Sequence, residues 1–336
     1  MTIVETQEID GVLAAAWPQL RVAGSPEPLT GGFWAQMWRV RVTGQPDPMP
    51  REVVVRFAPH REMGAKEAEV QRAVAALEFR TPRVWLSTPA APPVDGWWSV
   101  MDFAPGAPLL AGLHGAAVLR RAPSLVRTLP VALAEIMASL HRLDPQTITD
   151  AVHWAAPDVA WTVPDVVGQL RLGAEATRRA DVAAALDHLA TRTPMSAHPV
   201  ICHGDLHPFN VLAEVDGLTL LDWTGALLAD PCFDIALTEL LLANPPLPLP
   251  APLAPAVRAA GRVLARRFVA AYQRANLAVS LAALEWFRAL HSARVLINDT
   301  QLRAEHGPDA GGHPLRLVAP AATHHLAAAT GVAVGP

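Results

Sequence analysis

The sequence predicts an α+β fold in which a small β-rich part precedes a larger, mostly helical part. The runs "MWRVRVTG" (37–44), which alternates in period two, and "REVVVRFAP" (51–59), which is β-branched, predict neighbouring strands. After about residue 102 the chain becomes rich in Ala, and its apolar residues recur at helical spacing. We therefore expect residues 1–101 to form one part and residues 102–336 the other.

The composition favours a globular protein and excludes several classes of function. Hydrophobic residues make up 51% of the 336 residues and charged residues 17%, against about 45–50% and about 25% in typical globular proteins. The net charge of -4 gives no positive field for nucleic acid or an anionic membrane. The acidic start "MTIVETQEIDG" lacks the pattern of a secretory signal, and no apolar run is long enough to span a membrane, so we expect a cytoplasmic protein.

The two cysteines, Cys202 and Cys232, fit a reducing compartment and exclude a disulfide framework. Cys202 precedes a polar cluster and could be mistaken for a nucleophile. Because it continues an apolar, strand-like run, we expect it to fill space in the core instead.

The stretch "REMGAKEAEVQRAVAAL" (61–77) predicts a helix that follows the two strands. Glu67, Val70 and Val74 recur on one face of this helix, which places the Glu67 carboxylate on the inward stripe. A buried carboxylate needs a cation, and Arg56 of the preceding strand is the nearest candidate. The alternative, in which Arg56 points to solvent from an edge strand, stays open.

Further elements follow from local patterns. "PRVWLST" and "WWSVMDF" predict two more strands, and "LPVALAEIMASLHRLDP" predicts a helix that stops at Asp144-Pro145. Residues 163–192 are expected to be helical, and "LTLLDW" (218–223) reads as a short strand after a turn. Two helical segments follow, with a Pro-rich loop at 244–255, and the Gly, Pro and Ala content after His306 suggests a flexible tail.

The stretch "ICHGDLHPFNVL" (201–212) concentrates polar side chains between apolar flanks. Asp205 and Asn210 lie in it, and Asp222 follows in "LLDW". A β-hairpin between Asn210 and Asp222 would bring these two residues to the same end. Carboxylate and carboxamide oxygens without thiolates suit a hard cation such as Mg²⁺, which takes its other ligands from water and phosphate oxygens.

Asp205 would then be free to meet a substrate hydroxyl. Phosphoryl transfer needs mainly positioning and charge stabilisation, so one carboxylate at the nucleophile and a metal on the phosphates form a sufficient core. The alternative for each residue alone is a turn cap. The three residues together at this spacing favour chemistry.

The run from His203 to Leu212, followed by Leu221-Asp222-Trp223, resembles the catalytic signature of the aminoglycoside phosphotransferase and choline kinase-like family. The resemblance implies a bilobal protein-kinase-like fold that transfers the γ-phosphate of ATP or GTP to a hydroxyl group. It implies Asp205 as catalytic base or hydroxyl-orienting residue, and Asn210 and Asp222 as Mg²⁺ ligands. It also implies a structural acid, Asp234, in "ADPCFDIA".

The same resemblance assigns nucleotide contacts to the N-terminal part. Gly31 and Gly32 in "LTGGFWAQMWRV" stand where such kinases fold a hairpin over the phosphates, although a plain β-turn is the alternative. "SVMDFAPG" resembles the hinge between the lobes, where backbone groups near Asp102 and Ala104 would meet adenine.

One departure from the family concerns the lysine that usually holds the nucleotide phosphates and pairs with the helix glutamate. The single lysine of this chain, Lys66, precedes Glu67 and lies on the wrong helix face, whereas the strand offers Arg56. A guanidinium group carries the same charge but is bulkier and planar, so the phosphate geometry would change.

Other residues of the signature are expected to support it. The resemblance favours His203 as a brace for the loop backbone and leaves His207 open. Trp223 is expected to pack behind the metal site.

The acceptor is expected to be a small molecule with a hydroxyl group, and the family includes antibiotic-modifying members. Glu285, Asp299 and Glu305 could line a site for a cationic acceptor, or they could be solvated charges on a helix face. Trp286 and Phe287 could stack on a quaternary ammonium group, although choline is disfavoured as the acceptor. Neither the acceptor nor an oligomeric state follows from the sequence.

Two other functions compete with the small-molecule kinase. The replacement of lysine by Arg56 motivates a pseudokinase-like protein that binds a nucleotide or metabolite without transfer, whereas the intact trio of Asp205, Asn210 and Asp222 opposes it. A protein kinase is disfavoured because the segment after Asp222 is short and shows no activation-loop features.

Overall fold

The computed structural model describes residues 6–29, 35–91, 95–110, 116–246, 254–307 and 315–335. Its strands are β1 (Arg21–Val22), β2 (Glu27–Pro28), β3 (Gln36–Thr43), β4 (Glu52–Ala58), β5 (Val84–Pro89), β6 (Trp97–Asp102), β7 (Ala107–Pro108), β8 (Val200–Cys202), β9 (Val211–Glu214), β10 (Gly217–Leu220) and β11 (Leu227–Ala229). Its helices are α1 (Thr6–Ala16), α2 (Arg61–Ala76), α3 (Ala116–Leu140), α4 (Pro145–Ala155), α5 (Val163–Ala176), α6 (Ala180–Ala190), α7 (Cys232–Ala243), α8 (Ala254–Ala275), α9 (Leu284–His306) and α10 (Leu315–Thr330).

The chain forms two compact units that are discontinuous in sequence. The first unit comprises 1–108, 144–159 and 211–225, and the second comprises 109–143, 160–210 and 226–336. The sequence predicts a single boundary near residue 102. The two segments that return to the first unit carry α4 and the β9–β10 hairpin.

The first unit is built on an antiparallel sheet with the strand order β1-β3-β4-β6-β5, to which β2 adds by pairing with β3. The two predicted neighbouring strands, β3 and β4, are paired in the structure. β4 is therefore an interior strand. This position explains its β-branched run, because such side chains pack well on a pleated surface that is buried.

Alternation along β4 directs its side chains to two different environments. Val53, Val55 and Phe57 enter one core cluster together with Ile9 and Leu13 of α1. The intervening residues Val54 and Arg56 lie on the opposite face of the strand. Helix α2 packs against β4, β5 and β6, and its Glu67 reaches Arg56.

The predicted hairpin that follows the polar stretch is present in the first unit. In its register Val211 pairs with Leu220, and Asp222 follows Leu220 by two residues. β7 adds to this hairpin through β9. The close approach requires a glycine at position 106, since a Cβ atom there would lie 2.8 Å from the Ala213 carbonyl oxygen.

The second unit is mainly helical. α3 packs against α8, α7 packs against α8 and α9, and α9 packs against α10. The short strands β8 and β11 pair within this unit, and β8 carries Cys202 directly before the polar stretch. Buried side chains in its core include Met137, Tyr272 and Phe287.

Three helical features differ from the sequence-based expectation. Asp144 does not simply stop a helix: its side chain accepts the N–H of Gln146 and caps α4. The expected helix over 163–192 is divided into α5 and α6 near Arg178, whose φ is 57°. Residues Leu315–Thr330 form helix α10, where composition suggested a flexible tail. None of the described helices is long and apolar enough to cross a membrane.

Candidate active site

The first unit contains a buried ion pair between β4 and α2. Arg56 donates from Nη2 to Glu67 Oε2 at 2.7 Å, and the exposed fraction of each side chain is 7%. Arg56 therefore does not point to solvent. The ion pair predicted from the sequence is present, whereas the role of both residues in nucleotide binding stays a prediction.

Asp222 lies beside this ion pair, in the turn after β10. Its φ of 65° is uncommon for a residue other than glycine, although Asp tolerates the left-handed region better than most residues. The hydroxyl of Thr224 lies 2.6 Å from Asp222 Oδ1 and 3.2 Å from Glu67 Oε2. The first unit thus brings together Arg56, Glu67, Thr224 and Asp222.

The carboxyl group of Glu67 is strongly affected by its surroundings. Burial raises its pKa to about 7; the Arg56 charge opposes this rise, and the Asp222 charge adds to it. The ionised form of Glu67 therefore depends on its cation partner.

The second unit carries the polar stretch as a loop between β8 and β9. Asn210 donates from Nδ2 to the Asp205 carbonyl oxygen at 2.9 Å, and the same nitrogen lies 3.4 Å from Asp205 Oδ2. The N–H of Asp205 donates to His203 Nδ1 at 3.3 Å. Hydrogen bonds from its own side chains therefore brace the loop. His203 contacts the loop backbone, as the family resemblance favours.

Asp234 of α7 anchors the start of this loop. Its two carboxylate oxygens accept the N–H groups of His203 and Gly204, each at 2.7 Å, and His141 Nε2 lies 3.1 Å from Oδ2. Burial raises the pKa of Asp234, but His141, His203 and the Gly204 N–H lower it below its ordinary value. The structure thus gives Asp234 contacts that fit the structural role implied by the resemblance.

The Asp205 carboxylate is accessible and ionised at neutral pH. The exposed fraction of its side chain is 35%, and Oδ2 lies 3.5 Å from His207 Nε2. Burial raises its pKa, but His207, Arg294 and His203 outweigh this effect and hold the pKa well below its usual range. A carboxylate in this state can accept a hydrogen bond from a hydroxyl group.

Arg294 and Thr224 are two residues that sequence reasoning missed. Arg294 of α9 donates to the Gly204 carbonyl oxygen at 2.7 Å and lies far from the loop in sequence, so no motif spacing indicates it. Thr224 directly follows "LLDW", and a polar residue at that position was the available signal.

Asn210 in the second unit and Asp222 in the first unit each carry an oxygen atom of the kind that a hard cation takes. Asn210 uses its amide nitrogen for Asp205, which leaves Oδ1 as the available ligand atom. Asp222 uses Oδ1 for Thr224, and its Oδ2 accepts no hydrogen bond from the described residues. Both groups thus offer an oxygen of the kind that Mg²⁺ prefers.

The predicted nucleotide contacts are described only in part. Gly31 and Gly32 lie outside the described residues. The N–H of Asp102 donates to the Arg83 carbonyl at 3.0 Å, and its carboxylate accepts the Trp85 indole N–H at 2.6 Å. The Asp102 amide is thus already used within the sheet, and adenine contacts near Asp102 and Ala104 stay predictions.

Cys202 is buried next to His141 and Asp234, and these three side chains could be read as a metal-binding group. Burial raises the pKa of the Cys202 thiol, which disfavours the thiolate that a metal requires. Asp234 already binds loop amides through both oxygens. The contacts therefore support the structural role expected for Cys202.

The acids and aromatic residues of α9 occupy different environments. Asp299 is buried and pairs with Arg303 at 2.6 Å, so it is not a solvated charge. Phe287 is buried against Phe233, with ring centroids 5.8 Å apart, and belongs to the core. Glu285 is exposed and lines a cavity of about 370 Å³ between α6, α9 and α10.

Trp223 is fully buried, and its indole N–H donates to Thr81 at 2.9 Å in the first unit. Its ring also meets the edge of Phe79 at 6.0 Å between centroids. The aromatic residue after Asp222 therefore packs inward, and the side chain of Asp222 stays beside Thr224.

The sequence model described as the phosphotransferase enzyme family matches residues 25–287. The chain belongs to this family. The phosphotransferase signature read from Asp205, Asn210 and Asp222 lies within the matched residues. The family resemblance inferred from the sequence is therefore confirmed, and a kinase-type phosphotransfer activity is supported. No curated protein matches the chain in a direct sequence search.

Solved structures of phosphotransferases share the fold of the chain. A Ralstonia eutropha protein assigned as an aminoglycoside phosphotransferase has a TM-score of 0.67 and 16% identity, with 98% of this chain and 99% of that chain covered. The macrolide 2'-phosphotransferase MphH of Brachybacterium faecium has a TM-score of 0.52 and 18% identity, with 96% and 97% covered. These similarities confirm the predicted α+β, protein-kinase-like fold.

Proposed function

We propose that the protein transfers the γ-phosphate of ATP or GTP to a hydroxyl group of a small molecule. The observation that carries this proposal is Asp205: a partly exposed carboxylate with a lowered pKa, on a loop cross-linked by Asn210 and anchored by Asp234. Such a group stays ionised and is held in one position, where it can accept a hydrogen bond from the attacking hydroxyl group.

The reaction assigns a simple task to Asp205. The acceptor hydroxyl donates a hydrogen bond to the carboxylate, and its oxygen attacks the γ-phosphorus. An O–P bond forms, the bond between the γ-phosphorus and the bridging oxygen breaks, and a nucleoside diphosphate leaves. The hydroxyl proton passes to Asp205 and then to solvent. The contacts from Asn210 and His203 restrict the loop so that the carboxylate meets the hydroxyl in one orientation.

Asn210 and Asp222 are proposed to hold Mg²⁺, through Oδ1 and Oδ2 respectively. When bound, the ion neutralises charge on the phosphate oxygens. Arg56, held by Glu67, is proposed to supply a fixed positive charge to the same phosphates in place of the usual lysine. Gly31, Gly32 and backbone groups near Asp102 and Ala104 are proposed to complete the nucleotide contacts.

The acceptor class is proposed from related structures. The aminoglycoside phosphotransferase APH(4)-Ia has been solved with AMP-PNP and hygromycin B, and another aminoglycoside phosphotransferase with GDP and kanamycin. An antibiotic or another hydroxylated, cationic small molecule is therefore the first acceptor class to test. The cytoplasm is the proposed location of the reaction. The exposed Glu285, which already pairs with Arg288, offers a carboxylate for such a cation.

The test measures transfer of labelled γ-phosphate from ATP and from GTP to a panel of aminoglycosides, macrolides and small alcohols. Asp205→Asn keeps the shape of the side chain but removes the basic carboxylate, so we expect turnover to fall by about 10²–10⁴-fold. Asp158→Asn changes an exposed acid that lies outside the site and serves as the control. Equal turnover of the two variants on every accepted substrate would refute the role of Asp205.

Binding without transfer is a second candidate function, because Arg56 replaces the usual lysine. It predicts that the wild-type protein binds nucleotide but transfers phosphate to no acceptor and does not hydrolyse the nucleotide. Measurable transfer by the wild type would exclude this candidate. If Arg56→Lys then abolishes the transfer, the protein is an enzyme adapted to arginine at this position.

A further inference from the structure

The Thr224 hydroxyl group lies between the buried Arg56–Glu67 pair and the half-buried Asp222 in the first unit. It lies 2.6 Å from Asp222 Oδ1, 3.2 Å from Glu67 Oε2 and 3.3 Å from Arg56 Nη2. It therefore touches both members of the ion pair and the carboxylate that we assign to the metal.

Hydrogen-bond capacity fixes the direction of these contacts. A guanidinium group only donates, so Thr224 accepts from Arg56. The hydroxyl has one proton, and the shortest contact gives it to Asp222 Oδ1. The Thr224 N–H donates to the same oxygen at 3.3 Å. Two donors thus hold Oδ1 of Asp222, and Oδ2 is left for another partner.

The backbone of Asp222 makes this restraint relevant. A non-glycine residue at a φ of 65° is held in a sparsely populated region, and surrounding contacts must maintain it. Arg56 contributes to this restraint because its Nη2 contacts both Glu67 and Thr224. A lysine has a compact charge on a flexible stem and would place its donors elsewhere. Arg56 therefore helps to hold Thr224, and Thr224 holds Asp222.

We infer that Thr224 is a positioning residue that orients Asp222 toward the divalent cation and links it to Arg56. This inference rests on the proposed function, since it assigns the free Asp222 oxygen to Mg²⁺. It goes beyond that function because it predicts that the hydroxyl at position 224 controls how strongly the metal contributes to nucleotide binding.

The experiment compares wild type, Thr224→Val and Thr224→Ser by calorimetric titration with AMP-PNP, once with Mg²⁺ and once with EDTA. Valine keeps the shape of threonine but lacks the hydroxyl, whereas serine keeps the hydroxyl. We expect the gain in AMP-PNP affinity on addition of Mg²⁺ to be about tenfold smaller in the valine variant than in wild type. This size corresponds to the loss of one hydrogen bond to a charged group. The affinity of the valine variant in EDTA stays within about twofold of wild type, and serine restores the metal dependence.

Thr219→Val is the matched control, because it makes the same substitution at a buried threonine of β10, the strand that precedes Asp222. It is expected to leave the Mg²⁺ dependence unchanged. Urea denaturation checks that each variant folds, and Thr224→Ala repeats the comparison if the valine variant unfolds.

Two results would overturn the inference, and they are distinguishable. If wild type gains affinity from Mg²⁺ and Thr224→Val gains as much, the positioning role of Thr224 is wrong but the proposed function is untouched. If wild type binds no nucleotide with or without Mg²⁺, the proposed function itself fails and this inference fails with it.

Discussion

Arg56 combines two tasks that a lysine would perform differently. It neutralises the buried Glu67 carboxylate at 2.7 Å and also contacts Thr224 at 3.3 Å, both through Nη2. A lysine has a compact charge on a flexible stem and would place its donors elsewhere. The sequence identifies this departure from the family and predicts the pairing with Glu67, but only the structure shows that Arg56 also contacts Thr224.

Removing the Arg56 charge should destabilise the protein more than changing its shape. Arg56→Met leaves Glu67 buried without its cation, so we expect the free energy of unfolding to fall by about 3–5 kcal/mol. Arg56→Lys keeps the charge and should lose less. Urea denaturation without nucleotide measures both values. A methionine variant as stable as the lysine variant would contradict the importance of the ion pair.

The raised pKa of Glu67 predicts a specific pH dependence of stability. Burial outweighs the attraction of Arg56 and raises the pKa of Glu67 from 4.5 to about 7, so the Arg56–Glu67 pair is fully ionised only above that pH. The resulting contribution to stability is fully present below about pH 4.5 and is lost as the pH rises through about 7.

Glu67→Gln removes this titration and provides the comparison. The free energy of unfolding of wild type minus that of Glu67→Gln should fall as the pH rises from about 4.5 to about 7, the interval set by the shift of Glu67. Denaturation at several pH values without metal or nucleotide measures the difference. A difference that stays constant across this interval would show that Arg56 keeps Glu67 ionised throughout.

At the scale of elements, the loop between β8 and β9 depends on a helix that follows it in sequence. Asp234 of α7 accepts the N–H groups of His203 and Gly204, and Gly204 adopts a φ of 73° in the left-handed region. The family signature predicts this acid. Its two backbone partners follow only from the fold, because nothing in the local pattern fixes which amides face it.

Asp234→Asn should loosen the loop. The amide keeps one acceptor oxygen and cannot bind both buried N–H groups, so we expect a loss of about 1–3 kcal/mol in the free energy of unfolding. Asp187→Asn, an exposed acid of α6, is the control. Because the pKa of Asp234 is lowered, the stabilisation is present above about pH 4 and is lost as the pH falls through its folded value. Equal stability of both variants would show that Asp234 does not anchor the loop.

The sequence predicts elements better where its patterns are local. The alternation in "MWRVRVTG" and the apolar stripe with Glu67 correspond to β3 and α2, and the turn before "LTLLDW" corresponds to the hairpin. The contacts of Thr224 with Glu67 and of Arg294 with Gly204 join residues distant in sequence. Hydrophobic period and turn chemistry carry no information about such pairs.

At the scale of the whole molecule, the order of a β-rich and a helical part is predictable, but the segment after α9 is not. Its Gly, Pro and Ala content suggests flexibility, and Pro320 lies within helix α10. The helix nevertheless buries Val318, Ala322 and Leu326 and packs against α9. Packing of this apolar face, together with the high helix propensity of Ala and Leu, outweighs the cost of a proline inside the helix.

Helix α10 should belong to the cooperative fold of the second unit, because it packs against α9. Leu326 is 0% exposed, so Leu326→Ala should leave a cavity and lower the free energy of unfolding by about 2–5 kcal/mol. Leu317→Ala, on the same helix at 47% exposure, should change it by much less. If the two variants unfold at the same urea concentration, α10 does not contribute to the cooperative core. A large difference would show that residues with a tail-like composition complete the packing of α9.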